Sequence, residues 1–273
     1  MNIDKALDNL ARDPDASFDV AELALELARD EYSDVDVEAY LSELAGMARE
    51  ARTFLSGSLE KRVAGLCRFL FHEMGFRGNA QHYYDPRNSY LNQVIDRRTG
   101  IPITLSAVAM AIGQRAGLHV VGVGLPGHFV AKAIDGGREV FFDPFHGGRL
   151  VTVENCEQLV EQVTGTPFRA TRSHLEAIAL GPMVQRMLSN LKGIYLREGD
   201  FPRAVRVINR LRQLTPRDPL LLRDLGVSLF QAGQPGKAID PLKAYLATNP
   251  PVADAAAVQE FLEKARGDVA KWN

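Results

Sequence analysis

The chain has 273 residues, 46% hydrophobic and 24% charged, which is enough for one large domain or two modest ones with real cores. Its net charge of −2 provides no field toward nucleic acid or a membrane surface. No window approaches the roughly 18 uninterrupted apolar residues of a membrane span. The two cysteines, Cys67 and Cys156, make neither a metal spacing nor a disulfide framework. The opening MNIDKALDNLARD has no basic segment followed by an apolar run, so the expected location is the cytoplasm.

Charge is unevenly spread. Residues 1–50 carry 14 acidic and 4 basic side chains, and residues 186–223 carry 9 basic and 3 acidic. The first third reads as helices. Ser17 is placed to cap a segment whose Val20, Leu23, Ala24, Leu27 and Ala28 follow helical spacing. A second runs from about Val37 to Phe54, with Tyr40, Leu41, Leu44, Met47 and Ala48 as its stripe. Ser58 is placed to cap a third, through LEKRVAGLCRFLFHEMGF, with Glu60 in its first turn.

From Gly75 to Arg87 the composition turns to loop, and a short helix, SYLNQVIDRR, leads into Gly100. Pro102 then sits at a helix start, Leu105, Val108, Ala109, Ile112 and Ala116 form an apolar face, and Gly117 ends the helix.

In HFVAKAIDGGREVFFD, the pair Asp135–Gly136 reads as a two-residue hairpin turn. That register sets Lys132 opposite Glu139 and His128 opposite Asp143. Phe129, Ala131, Ala133, Val140 and Phe142 share the other face. An imidazole beside a carboxylate is the orienting half of a nucleophilic triad. It is equally an ordinary polar pair at the open end of a hairpin.

Other signals carry less. Gly122, Gly124 and Gly127 spell GxGxxG, but Pro126 and a hairpin follow where a dinucleotide site needs a helix. His82, Asp85, His128, Asp143 and His146 are metal-ligand types without a diagnostic spacing, so no metal and no cofactor is expected. Cys67 sits on a stripe with Val63, Leu70, Phe71 and Met74, and Cys156 on one with Val153, Leu159, Val160 and Val163. Both read as core.

The tail repeats itself. Gly199 recurs as Gly233, Ala204 as Ala238 and Pro216 as Pro250, all at a 34-residue spacing with helical patterns between. That is the tetratricopeptide period. The second copy carries Leu225–Gly226 in its first helix; in the first copy Gly193 falls one place late. A last helix near Val252–Ala265 caps the stack.

Taken together, NSYLNQVIDRRTGIPITLS, GVGLPGHF and FFDPFHGG, followed by these helices, resemble a bacterial family of transglutaminase-like, TPR-containing regulators of sirC expression. The resemblance implies an α+β fold: residues 1–165 as a helical N-terminus on a transglutaminase-like (papain-related) core, and 166–273 as an all-α tetratricopeptide array. It also implies a central helix with a nucleophilic cysteine at its start, and strands carrying His and Asp. His128 and Asp143 match the latter two. The cysteine's place falls near Pro102–Ile103, and no thiol lies between Arg68 and Asn155. Thr104 and Ser106 are the hydroxyls nearest that place, with a capping or solvent-facing role as the plainer reading. The expected function is a non-catalytic regulatory protein that binds a protein or peptide through its repeats. The alternative is a hydrolase or acyltransferase with His128 as base and Asp143 orienting it.

Overall fold

The computed structural model describes residues 1–271. Contacts divide the chain into two units. Met1–Ala6 and Pro14–Val184 form the first; Leu7–Asp13 and the chain from Gln185 onward form the second. A division near 165 is expected from the sequence. Instead, residues 166–179 run along the sheet of the first unit, where the Ile178 N–H donates to the Gly122 carbonyl at 2.9 Å.

The first helix, α1 (Ile3–Arg12), is not announced by the sequence reading, although Ala6, Leu7 and Leu10 are buried at helical spacing. In α2 (Val20–Ala28) the cap is Asp19 rather than Ser17. One Asp19 oxygen accepts the N–H groups of Ala21 and Glu22, and the other meets Arg115, so the carboxylate does two jobs a serine cannot. Helix α3 (Val37–Ala51) runs on through a single tight turn to Phe54, and α4 (Leu59–Cys67) is capped by Ser58 as expected. From Arg68 to Glu73 the chain widens into a π-helical turn.

Helix α5 (Leu91–Arg97) ends at Arg98, with φ +52°. Helix α6 (Pro102–Ala116) begins on Pro102 and stops at Gly117, whose φ of +89° is the left-handed position glycine tolerates. Almost all of α6 is buried, including Leu105, Val108, Ala109 and Ile112. A helix apolar all round is a core helix. Helices α2, α3 and α5 and strands β3 and β4 all pack on it. At Gly113 a Cβ would come within 2.6 Å of Val120, so this glycine sets how closely α6 lies on the sheet.

That sheet is an antiparallel meander of β3 (Val120–Leu125), β4 (His128–Asp135), β5 (Arg138–Asp143) and β6 (Arg149–Val151); β1 (Arg77–Gly78) and β2 (Thr99–Gly100) form a separate short parallel pair. The GxGxxG stretch lies on β3 and its turn to β4, as the hairpin reading requires.

The β4–β5 register differs from expectation by two residues. Asp135 pairs with Arg138, Ile134 with Glu139 and Ala131 with Phe142. The turn is therefore Gly136–Gly137, with φ of +54° and +80°. Two positive φ values are what a tight hairpin of the right twist demands, and two glycines meet that demand better than Asp–Gly. Asp135 stays in the strand, where Arg62 also reaches it. A shift of two keeps every side chain on its expected face. Lys132 and Glu139 accordingly meet diagonally rather than directly, at 2.6 Å.

Val123, Leu125 and Val130 from the same face as His128 form a cluster with Val151 and with Cys156, Leu159 and Val160 of α7 (Val153–Thr164). Two members of the expected α7 stripe, Val153 and Val163, are exposed instead.

The second unit takes in the later part of α8 (Leu180–Glu198), with α9 (Phe201–Leu214), α10 (Leu220–Gln231), α11 (Pro235–Leu246) and α12 (Val252–Ala270) following. Gly199 and Gly233 both terminate helices at φ near +70° (+71° and +73°), and Ala204 and Ala238 are both fully buried. At Gly226 an added Cβ would meet Leu242 at 2.5 Å, whereas at Gly193 it would meet nothing within 4 Å. The repeat's helix-pair glycine is thus present in the second copy and displaced in the first.

Candidate functional site

His128 opens β4 and Asp143 closes β5, so both stand at the same end of the sheet. Pro126–Gly127 turns the chain from Leu125 into His128, which pairs back with Leu125. His128 is buried and Asp143 fully so. Nε2 of His128 lies 3.0 Å from Oδ2 of Asp143. The expected pair therefore forms, across a diagonal that the two-residue shift creates.

A third residue joins it. After Asp143 the chain bends sharply, and the Gly148 N–H returns to the Asp143 carbonyl at 2.8 Å. Within that bend Oδ1 of Asp143 accepts the N–H groups of Phe145, at 3.0 Å, and His146, at 3.3 Å. An aspartate that caps its own turn brings residue i+3 back over its carboxylate. Here Nδ1 of His146 lies 2.7 Å from the same Oδ2 that His128 meets. The His146 side chain is 45% exposed, so the cluster opens to solvent on that side. Sequence reasoning missed this role for His146; the D-P-F-H spacing of an aspartate turn was the available signal.

Burial alone would raise the Asp143 carboxyl. Hydrogen bonds and charge from His128, then from His146, outweigh it and hold the group below its ordinary range. An ionised carboxylate only accepts, so both facing ring nitrogens carry the protons. The Phe145 ring packs edge-on against His128, and Tyr83 packs edge-on against Phe145 in turn.

The hydroxyls considered as nucleophiles stand apart. Thr104 is fully buried, as the N-terminal lock of α6. Its Oγ1 accepts the Ile101 N–H at 3.1 Å and directs its proton to the carbonyls of Asn88, at 2.7 Å, and Ile101, at 3.1 Å. Ser106 is fully buried, and its hydroxyl has no hydrogen-bond partner. Neither is hydrogen-bonded to His128. Of the two plain readings, capping holds for Thr104; solvent exposure holds for neither.

The thiols are equally removed from chemistry. Cys67 and Cys156 are free and buried. Burial pushes the Cys67 thiol well up; burial, then the Asp143 charge, pushes Cys156 up to about 11. Of the five metal-ligand types noted in the sequence, the structure gathers His128, Asp143 and His146. His82 is exposed, and Asp85 caps the turn at Pro86–Asn88 and binds Arg87.

A buried helix beside an antiparallel meander with His and Asp at one end of it, followed by paired helices, defines a class. The chain belongs to the transglutaminase-like superfamily, which matches residues 37–189, and a tetratricopeptide repeat matches residues 191–263. Within it, the chain is a member of the UPF0162 proteins: one from Xylella fastidiosa is 34% identical over 252 residues, covering 89% of this chain and 88% of its own length. Human F-box only protein 21 is 30% identical over 165 residues, covering 57% of this chain and 25% of its own. The crystal structure of menin, described as revealing the binding site for the Mixed Lineage Leukemia protein, aligns over 98% of this chain and 71% of its own. It does so at 13% identity and a TM-score of 0.44. No described helix is long and apolar enough to cross a membrane.

Proposed function

We propose that this protein is a non-catalytic, cytoplasmic interaction protein with a regulatory role, in which a degenerate transglutaminase-like domain accompanies peptide- or protein-binding repeats. The single observation carrying this reading is the start of α6. Pro102 and Ile103 occupy the place the superfamily resemblance gives to the nucleophile, and both thiols are buried elsewhere. Proline and isoleucine have no group to attack an acyl carbon. In the repeats, Lys192 of α8 bridges to Asp224 of α10 at 2.7 Å, and Arg223 reaches Asp254 of α12 at 2.9 Å. These ion pairs tie alternate helices of the array together, the kind of stacked scaffold on which repeats present a binding surface.

The purified full chain, presented with amide, ester and acyl-transfer substrates, is expected to show no turnover above background. Robust turnover that His128→Ala abolishes would overturn the reading. The hydrogen bond between His128 and Asp143 supports the second reading, a hydrolase or acyltransferase that uses a hydroxyl or the substrate's own nucleophile with His128 as base. Because Thr104 and Ser106 are fully buried, the two readings are separated by whether an acyl-transfer product forms with an added nucleophilic co-substrate and is lost in His128→Ala.

A further inference from the structure

We infer that His128, Asp143 and His146 form a binding site for one divalent first-row transition-metal ion, of which zinc is the best fit. Two imidazole nitrogens and a carboxylate oxygen lie within 4.8 Å of one another. The carboxylate oxygen is 3.0 Å from one nitrogen and 2.7 Å from the other. Ligand atoms sharing an ion at about 2.0–2.1 Å stand roughly 2.9 Å apart at right angles and roughly 3.4 Å apart at tetrahedral angles. The two oxygen–nitrogen separations open by up to about 0.7 Å to receive a tetrahedral ion, and the protons on the two facing ring nitrogens leave as it binds.

The donor chemistry selects the metal. Two imidazoles suit zinc, copper, iron or nickel, whereas calcium and magnesium require oxygen on most sides. The set is also held in place. Both backbone N–H groups on Oδ1 of Asp143 anchor the carboxylate so that Oδ2 faces the two rings, the supporting shell that tunes metal ligands. His128 and Asp143 are buried, while His146 lies at the surface, so the site has a protein floor and a solvent side. Three protein ligands with an open position is the arrangement in which zinc keeps a water or takes a ligand group. No spacing such as HExxH announces it, because a strand start, a strand end and a turn supply one ligand each.

The test uses the full chain stripped of metal by a chelator. Titration with zinc by calorimetry and with cobalt by visible absorption is expected to show one ion per chain, with ligand-field bands indicating nitrogen and oxygen donors. His146→Ala, at an exposed position that does not threaten folding, is expected to weaken binding on the order of 100-fold. His82→Ala is expected to leave it unchanged and serves as the control for surface histidines. No binding by the wild-type chain, or equal binding by wild type and His146→Ala, overturns the site.

Discussion

Thr104 and Ser106 lie two residues apart in the first turns of α6, both fully buried, and their hydroxyls are in opposite circumstances. That of Thr104 engages three backbone groups; that of Ser106 engages none. Thr104→Val strips the helix start of its lock and is expected to cost about 1–3 kcal/mol of stability. Ser106→Ala removes an unsatisfied buried group and is expected to be neutral or stabilising by up to about 1 kcal/mol. Urea midpoints of the two variants check this, and a large loss at Ser106 would show that its hydroxyl has a partner.

Gly226 and Gly193 form a second contrast. Gly226→Ala drives a methyl into Leu242 and is expected to cost about 1–3 kcal/mol by overpacking. Gly193→Ala meets open space inside α8 and is expected to stabilise by about 0.5–1 kcal/mol through helix propensity. Thermal unfolding of each variant decides it, and effects of the same sign would contradict the packing of α10 on α11.

Both thiols are expected to resist alkylation in the folded protein at pH 8. Cys156, held up at about 11, is almost wholly protonated there, and Cys67 is pushed higher by burial. Intact-mass measurement with iodoacetamide is expected to show no adduct natively and two in urea. Rapid native labelling of either cysteine would reinstate a thiol as a candidate nucleophile.

Tyr40 donates its hydroxyl to Asp96, at 2.8 Å and 3.0 Å to the two oxygens. Desolvation first, then the Asp96 bond and charge, raise the phenol to about 12. A folded value above the unfolded one means the folded state holds the proton more tightly. The stabilisation is therefore complete below about pH 10 and is lost as pH rises from there to about 12. Tyr40→Phe is expected to be less stable than wild type by about 0.5–1 kcal/mol at pH 7–9, given partial solvent screening. The gap is expected to close above pH 10; chemical denaturation across that range would refute it by showing a constant difference.

How much was legible follows from the kind of signal each element carries. Helix α3 was readable from its apolar stripe, and α4 and α6 because a serine cap, a proline start and a glycine stop act within a few residues. The cap of α2 was misplaced because Ser17 and Asp19 are both good caps; what separates them is Arg115, nearly a hundred positions away. The α7 stripe was read too widely, since helical spacing does not say how much of a surface helix its neighbours cover.

The sequence by itself determined the class of fold, the 34-residue helical repeat, the faces of β4 and β5, and the lack of any thiol from Arg68 to Asn155. The class of fold came through the family resemblance of its motifs; the others rest on periodicity and on residue identity, which are local. Tertiary structure alone decided the register, because side-chain alternation has a period of two and is blind to a shift of two. It alone brought His146 onto the carboxylate that His128 shares, because that meeting depends on how the turn after Asp143 folds over the open end of the hairpin.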